Sequence, residues 1–110
     1  MKLPNHEDAV VDIEKIRGYC LSKTHQRGRH KARVFESALG LRARDAESVR
    51  DALLEAARAQ DAHPGAEDEY GRRYTVEFTM KGPAGTARVR SHWIVKAHEG
   101  FPRFVTCYVT

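Results

Sequence analysis

Residues 70–80 read YGRRYTVEFTM and residues 86–97 read TARVRSHWIVKA, and these two runs determine the fold class. In each run the apolar residues recur at every second position, which is the period of a β-strand with one face in a core. The sequence GPAG at 82–85 separates the two runs, and HEG at 98–100 precedes a third run at 101–110. Tight turns between successive strands predict an antiparallel meander over about 70–110.

The chain ahead of these strands follows the helical period instead. Three helices are predicted: one capped by Asp12, one from about Gly28 to Leu39, and one capped by Asp45. The third has the clearest amphipathic pattern, with Val49, Ala52, Leu53 and Ala56 on one stripe.

Two short segments complete the layout. The breaker at 63–65 and the acidic stretch at 66–69 are interpreted as the end of the third helix and a linker. Residues 9–11 are too short to assign, and an extra strand there is left open. Helices over about 9–62 followed by strands predict one α+β domain over 1–110, with about three helices packed on an antiparallel sheet of three or four strands.

The composition is that of a folded, heavily charged chain of 110 residues, of which 41% are hydrophobic and 31% charged. No apolar run reaches the roughly 18 residues that a membrane helix needs, and residues 1–6 lack the apolar stretch of a signal peptide. Cys20 and Cys107 lie far apart and fit no metal-binding spacing. We therefore expect a cytoplasmic protein with two buried free thiols and no membrane contact.

The net charge of +4 is distributed in blocks. Residues 15–44 carry nine basic residues against one acidic residue, and residues 70–110 carry seven against two. Residues 45–69 carry eight acidic residues against two basic ones. Basic zones on a small protein favour a polyanion partner, most often a nucleic acid, although surface charge that only confers solubility is the alternative.

The strongest local feature is HQRGRHKAR at residues 25–33, which contains no acidic residue. Gly28, at a junction between loop and helix, lets backbone N–H groups approach an anion. The imidazoles of His25 and His30 change charge near neutral pH. The alternative is a solvated basic loop. Candidate nucleic-acid contacts here and on the sheet are Arg27, Arg29, His30, Arg88 and Arg90.

The alternation of the strands places a second set of polar side chains on one sheet face. This set comprises Glu77 on the first strand, Arg88, Arg90 and His92 on the middle strand, and Thr106 and Tyr108 on the last. Carboxylate, imidazole, guanidinium and hydroxyl groups are sufficient to cleave RNA without a metal ion, because they supply a base, an acid and a cation for the phosphorane. Solvated side chains without a catalytic role are the alternative.

Other chemistries lack their motifs. There is no phosphate-binding glycine loop, no dinucleotide fingerprint, no His-x-x-x-His and no Cys-x-x-Cys. We therefore expect neither a cofactor nor a bound metal. The acidic residues of the helix at 45–60 are interpreted as its solvated face or, alternatively, as a surface for a basic partner protein.

A wider pattern resembles an uncharacterised family of small bacterial proteins, which also occurs as a domain inside larger toxin-like proteins. The matching residues are Leu3-Pro4-Asn5, Tyr19-Cys20-Leu21, His25, Gly28, Lys31-Ala32-Arg33-Val34-Phe35, Trp93-Ile94 and Pro102-Arg103-Phe104-Val105-Thr106 with Tyr108. The order of elements is similar to that of the barnase/EndoU/colicin/RelE group of ribonuclease toxins. That similarity implies a site formed by His25, Lys31, Arg33, Thr106 and Tyr108. His92 departs from the family pattern, which has an apolar residue or Thr there.

The leading hypothesis is a metal-independent, toxin-type ribonuclease that acts on RNA and is held by a cognate antitoxin or immunity protein. In it His25 is the general base or acid, Lys31 and Arg33 bind the phosphate, and Thr106 and Tyr108 orient the substrate. Glu77, Arg90 and His92 are second choices for the chemistry. The alternatives are a nucleic-acid-binding module without catalysis, and an immunity- or antitoxin-like protein that binds its partner through the acidic helix at 45–60.

Overall fold

The computed structural model describes residues 1–110 and consists of helical segments followed by one four-stranded antiparallel sheet. Helix α1 spans Ile13–Lys15 and continues as a π-helical turn over Ile16–Cys20, α2 spans Arg29–Leu39, and α3 spans Ala46–Ala59. Short 3₁₀ turns lie at His6–Asp8 and Ala43–Asp45. The strands are β1 (Ala62–Asp68), β2 (Gly71–Gly82), β3 (Gly85–Lys96) and β4 (Pro102–Val109), in the spatial order β1-β2-β3-β4. The predicted α+β class is confirmed.

The helix ends follow from local hydrogen bonding. The side chain of Asp12 accepts a hydrogen bond from the backbone N–H of Glu14 at 3.0 Å, as expected for an N-cap. Gly40 ends α2 in the left-handed region at φ 72°, where glycine carries no Cβ penalty. The carboxylate of Asp45 accepts from the backbone N–H of Arg42 at 2.9 Å, so it caps the 3₁₀ turn rather than α3.

Residues 62–68 form strand β1, and the prediction of a breaker and linker there is wrong. Pro64 is accommodated because β1 is an edge strand, where a missing N–H can face solvent, and the pairing register shifts just after it. The acidic residues of this strand pair with arginines of β2, at 3.7 Å for Glu67–Arg72 and 2.8 Å for Asp68–Arg73.

The segment at 9–11, left open from the sequence, contributes a single bridge to the other edge of the sheet. Val10 lies parallel to β4 opposite Arg103. Its N–H donates to the carbonyl of Pro102, and its carbonyl accepts from the N–H of Phe104, both at 2.9 Å. The N-terminal segment therefore covers the outer edge of β4 at Arg103.

The core lies between the helices and one face of the sheet. That face is buried along β2, β3 and β4 at Val76, Phe78, Met80, Val89, Trp93 and Phe104. Phe35 and Leu39 of α2 and Leu53 of α3 belong to the same buried cluster. Cys20 and Cys107 are both buried free thiols, as expected.

No helix covers the opposite face of the sheet. The residues of that face are half-buried or exposed, and every buried strand residue belongs to the core face or to a strand end. None of the helices combines the length and apolarity needed to span a bilayer.

Candidate functional site on the open face of the sheet

The open face is organised in rows of side chains that lie side by side across the strands. Residues directly opposite each other in an antiparallel pair place their side chains on the same face, within contact distance. Two neighbouring rows carry five of the polar residues singled out from the sequence, together with Thr75: they are Glu77–Arg90–Tyr108 and Thr75–His92–Thr106.

His92 lies at the centre of these rows and uses both ring nitrogens. Its Nε2 lies 2.8 Å from the hydroxyl of Tyr108, and its Nδ1 lies 3.2 Å from Oγ1 of Thr75. Burial lowers the pKa of His92 below its ordinary value of 6.5, and the positive charges of Arg90 and Lys31 lower it further. The ring is therefore neutral at pH 7, so one nitrogen carries a hydrogen and the other accepts a hydrogen bond.

Arg90 is fixed between two partners on its own row. Its Nε donates to Oε1 of Glu77 at 2.7 Å, and Tyr108 is its register partner on β4. The hydrogen bond from Arg90 is the main cause that lowers the pKa of Glu77, so this carboxyl is ionised and poorly suited to accept a proton at neutral pH. Glu77 holds the guanidinium in place.

Lys31 reaches this face from α2. Its Nζ lies 4.4 Å from the centre of the Tyr108 ring, within the range of a cation–π interaction. The N-terminal segments that precede α2 also follow the edge of β4, since Nζ of Lys15 donates to the carbonyl of Phe104 at 3.2 Å. An ammonium group therefore lies over the same phenol whose hydroxyl contacts His92.

The π-helical turn places Cys20 behind the last strand. Its sulfur lies 3.6 Å from Oγ1 of Thr106. A hydrogen bond from the thiol of Cys107 is the main cause that lowers the pKa of Cys20 to about 7, whereas the same contact and burial raise the pKa of Cys107. Thr106 therefore contacts Cys20 on the core side and lies beside His92 in its row.

His25 is not connected to these rows by any hydrogen bond, ion pair or ring contact. Its Nδ1 accepts from the backbone N–H groups of Arg27 at 3.0 Å and Gly28 at 3.1 Å. Its ring packs edge-on against Tyr19, with 4.6 Å between the ring centres. These contacts make His25 the side chain that closes the loop before α2.

The other basic residues of the loop and α2 point in several directions. Lys31 and Arg33 are two positions apart, which separates them by about 200° around the helix, so Arg33 faces away from the rows. Arg29 donates to the carbonyl of Gln26 at 2.7 Å, while Arg27 and His30 are exposed. Arg88 lies on the open face, one row beyond Arg90, and donates to Thr79 at 3.4 Å.

The contribution of Thr75 was missed from the sequence, although a signal was present. A two-residue turn at 83–84 pairs Gly82 with Gly85, and counting outward from that pair gives Thr75 opposite His92 and Glu77 opposite Arg90. The contact between Lys31 and Tyr108 has no such signal, because it depends on how α2 packs beside β4.

Two surface depressions are present besides these rows. One of about 280 Å³ lies between α3 and the second half of β2, away from the rows. One of about 130 Å³ continues the open face beyond His92, at Ile94 and Lys96. No three His, Cys, Asp or Glu side chains lie close enough together to hold a metal ion.

Residues 2–110 match the protein family described as a domain of unknown function, DUF6883. The chain belongs to this family. The expected membership of a family without an established function is thereby confirmed, and the similarity to barnase-type toxins stays a prediction. No curated protein matches the DUF6883 chain.

One solved structure similar to the DUF6883 chain is the contact-dependent growth inhibition toxin–immunity protein complex from Klebsiella pneumoniae 342. The match has a TM-score of 0.70 and covers 92% of this chain and 99% of that chain, at 20% sequence identity. At this identity the likeness shows a shared fold.

Proposed function

We propose that this DUF6883 chain is a toxin-type ribonuclease domain that cleaves RNA in the cytoplasm, on the open face of its sheet and without a metal ion. One observation carries the proposal: Lys31, Tyr108, His92 and Thr75 form a continuous chain of contacts beside the Arg90–Glu77 pair. A neutral imidazole, a phenol and two cations in one patch are the groups that this cleavage needs.

The reaction is an attack of the ribose 2′-oxygen on the adjacent phosphorus. Neutral His92, with its hydrogen on Nε2, takes the proton of the 2′-hydroxyl at Nδ1, where the substrate hydroxyl replaces that of Thr75, as the O2′–P bond forms and the P–O5′ bond breaks. Tyr108, whose hydroxyl contacts His92, donates its proton to the leaving 5′-oxygen and then recovers one from the protonated imidazole. The products are a 2′,3′-cyclic phosphate and a 5′-hydroxyl.

The remaining residues stabilise charge or hold the reacting groups. Lys31, over the Tyr108 ring, offsets the negative charge that develops on the phosphorane, and Arg90, the register neighbour of Tyr108, donates N–H groups that its bond to Glu77 leaves free. Thr75 fixes the orientation of the His92 ring until the substrate binds, and Thr106 contacts the substrate from the same row. His25, which has no contact with the rows and whose Nδ1 accepts from two backbone N–H groups of its own loop, is assigned to the structure of the loop instead of to the chemistry.

A second candidate function is supported by the acidic side of α3. Glu47, Asp51 and Glu55 are exposed at four-residue spacing, so they lie along one stripe of the helix. The similar solved structure is a complex of a toxin and an immunity protein, and an immunity-type protein with a basic partner fits this stripe. A toxin-type domain also needs a protein partner, so complex formation alone does not separate the two.

The deciding experiment compares purified wild type with His92→Gln on structured and single-stranded RNA in the presence of EDTA. We expect wild type to leave 2′,3′-cyclic phosphate ends and His92→Gln to be slower by about 10²–10⁴-fold, with RNA binding retained. Arg58→Ala, an exposed charge removal on α3, is the matched control and should cleave normally.

Three outcomes contradict the ribonuclease proposal. RNA binding without cleavage by wild type would identify a binding module. Equal cleavage by wild type and His92→Gln would remove His92 from the chemistry. If wild type neither binds nor cleaves RNA but forms a complex with a basic protein, and Asp51→Lys and Glu55→Lys disrupt that complex, the function is of the immunity type.

A further inference from the structure

We infer that the open face carries a nucleobase subsite next to His92, centred on Ile94. The inference rests on the proposed function for the nature of the ligand, an RNA nucleotide. Ile94 follows His92 by two positions on the same face of β3, so the two side chains are about 7 Å apart along the strand. A nucleotide flanking the scissile phosphate would place its base at this distance.

Ile94 is flanked by an arginine on each side. Its register partners are Arg73 on β2 and Arg103 on β4, which makes the row Arg73–Ile94–Arg103. An aliphatic side chain between two planar guanidinium groups is a flat, partly apolar platform, and bases stack on guanidinium planes in RNA-binding proteins. No other row of this face has an apolar residue in the same position, because the flanking β3 residues are His92 and Lys96.

Both guanidinium groups are held in place before any ligand arrives. Nη1 of Arg73 donates to Asp68 at 2.8 Å, and Arg103 donates through Nε and Nη2 to Glu99, each at 2.7 Å. Arg103 also lies 5.0 Å from the centre of the Phe101 ring. Because carboxylates neutralise these arginines, they suit a neutral base better than a phosphate, and each keeps N–H donors free.

The depression of about 130 Å³ adjoins this platform. Val10 and Phe104 supply apolar surface there, while Lys15 and Lys96 supply ammonium groups and Asp12 supplies one carboxylate. Lys96 has no carboxylate within ion-pair distance, and Lys15 makes one hydrogen bond to a carbonyl, which leaves further N–H donors. The lining is therefore partly apolar, and its ammonium groups outnumber its one carboxylate, which suits a base followed by its own phosphate.

The chemistry of the lining also sets a preference among bases. The ammonium groups of Lys15 and Lys96 only donate hydrogen bonds, so they favour a base edge that presents a carbonyl oxygen over one that presents an amino group. The subsite should therefore prefer guanine and uracil to adenine and cytosine.

The test uses the four nucleoside 3′-monophosphates as probes, with binding followed by amide chemical shifts of the full chain. We expect shifts at Ile94, Lys96 and Arg103, and affinity for guanosine and uridine monophosphates about fivefold higher than for adenosine and cytidine monophosphates. Ile94→Asp should weaken nucleotide binding by about fivefold or more, and Ile94→Ala by less. Arg58→Ala is the control, and thermal unfolding of each variant verifies folding.

The outcomes separate this inference from the proposed function. If the protein cleaves RNA but Ile94→Asp changes neither nucleotide affinity nor the sequence preference of cleavage, the subsite is wrong and the ribonuclease stands. If the nucleotides shift Ile94 and Lys96 but no RNA is cleaved, the subsite stands and the chain is a binding module. Shifts confined to other faces overturn the subsite.

Discussion

His92 is surrounded by two cations, Lys31 and Arg90, and by hydroxyl groups, and this setting governs how it titrates. Because a base must be unprotonated, RNA cleavage should rise with pH below 6.5, through the lowered pKa of His92, and reach a plateau by pH 7. Lys31→Met removes one of the cations that lower this pKa, so the rising limb should move to higher pH.

The measurement is kcat/KM against pH for wild type and Lys31→Met. Lys31→Met also loses phosphorane stabilisation, so its kcat/KM should be lower at every pH. The diagnostic quantity is therefore the pH midpoint of the rising limb and not the height of the plateau. A limb at the same pH in both proteins would contradict the assignment of His92 as the base.

The same pKa shift affects folding. A histidine whose pKa is lower in the folded state binds fewer protons there than in the unfolded chain, so stability is lost as the pH falls below 6.5. His92→Gln cannot be protonated, and the free energy of unfolding of this variant should depend less on pH between 7 and 5 than that of wild type. Urea unfolding at several pH values checks this. Parallel curves for the two proteins would contradict it.

At the scale of elements, the loop before α2 decides where Lys31 lies. A Cβ on Gly28 would stand 2.5 Å from the carbonyl oxygen of Tyr19, a backbone atom that cannot move aside. We expect Gly28→Ala to lower the free energy of unfolding by about 1–3 kcal/mol, as overpacking does. Because the loop positions Lys31, the folded fraction of this variant should also cleave RNA more slowly than wild type.

Gly18→Ala is the matched control for this glycine. Its Cβ would meet only Oε2 of Glu14 at 3.9 Å, and alanine favours a helix, so this variant should be neutral or more stable by about 0.5–1 kcal/mol. Denaturant unfolding of the two variants gives the comparison. Equal stability of Gly28→Ala and wild type would show that the loop relaxes.

The elements differ in how well the sequence predicts them. The period of two in β2 and β3 and the Gly40 stop of α2 were readable because each depends on neighbours within a few residues. Strand β1 was missed because Pro64 and acidic residues normally exclude a strand. They are tolerated here only since β1 is an edge strand whose acids meet Arg72 and Arg73.

The contacts of the candidate site likewise differ in whether the sequence predicts them. The pairings Thr75–His92 and Glu77–Arg90 follow from a turn two residues long, and so were within reach of the sequence. The separation of His25 from the rows was not, because it results from the Nδ1 of His25 turning back to its own loop.

At the scale of the whole molecule, charge pairing limits how strongly the open face attracts a polyanion. Arg73, Arg90 and Arg103 are each joined to a carboxylate, whereas Lys96 is not. Binding of single-stranded RNA should therefore weaken with salt, and Lys96→Ala should reduce the slope of log affinity against log salt by about 0.7.

Fluorescence anisotropy with His92→Gln, which prevents cleavage during the titration, measures this slope. Arg58→Ala in the same background removes a charge from α3 and should leave the slope unchanged. A slope that Lys96→Ala does not alter would mean that RNA does not pass this end of the sheet.

The covered edge of β4 has a consequence for how the protein folds. The side chain of Asn5 bonds to the carbonyl of Gly100 across 95 residues of sequence, and Lys15 bonds to that of Phe104 across 89. Closing loops of this length is entropically costly and slow, so the N-terminal segment cannot settle before the last strand is in place. Lys31 and Tyr108 likewise meet only once α2 and the last strand have both packed, so a partly folded chain lacks the proposed site.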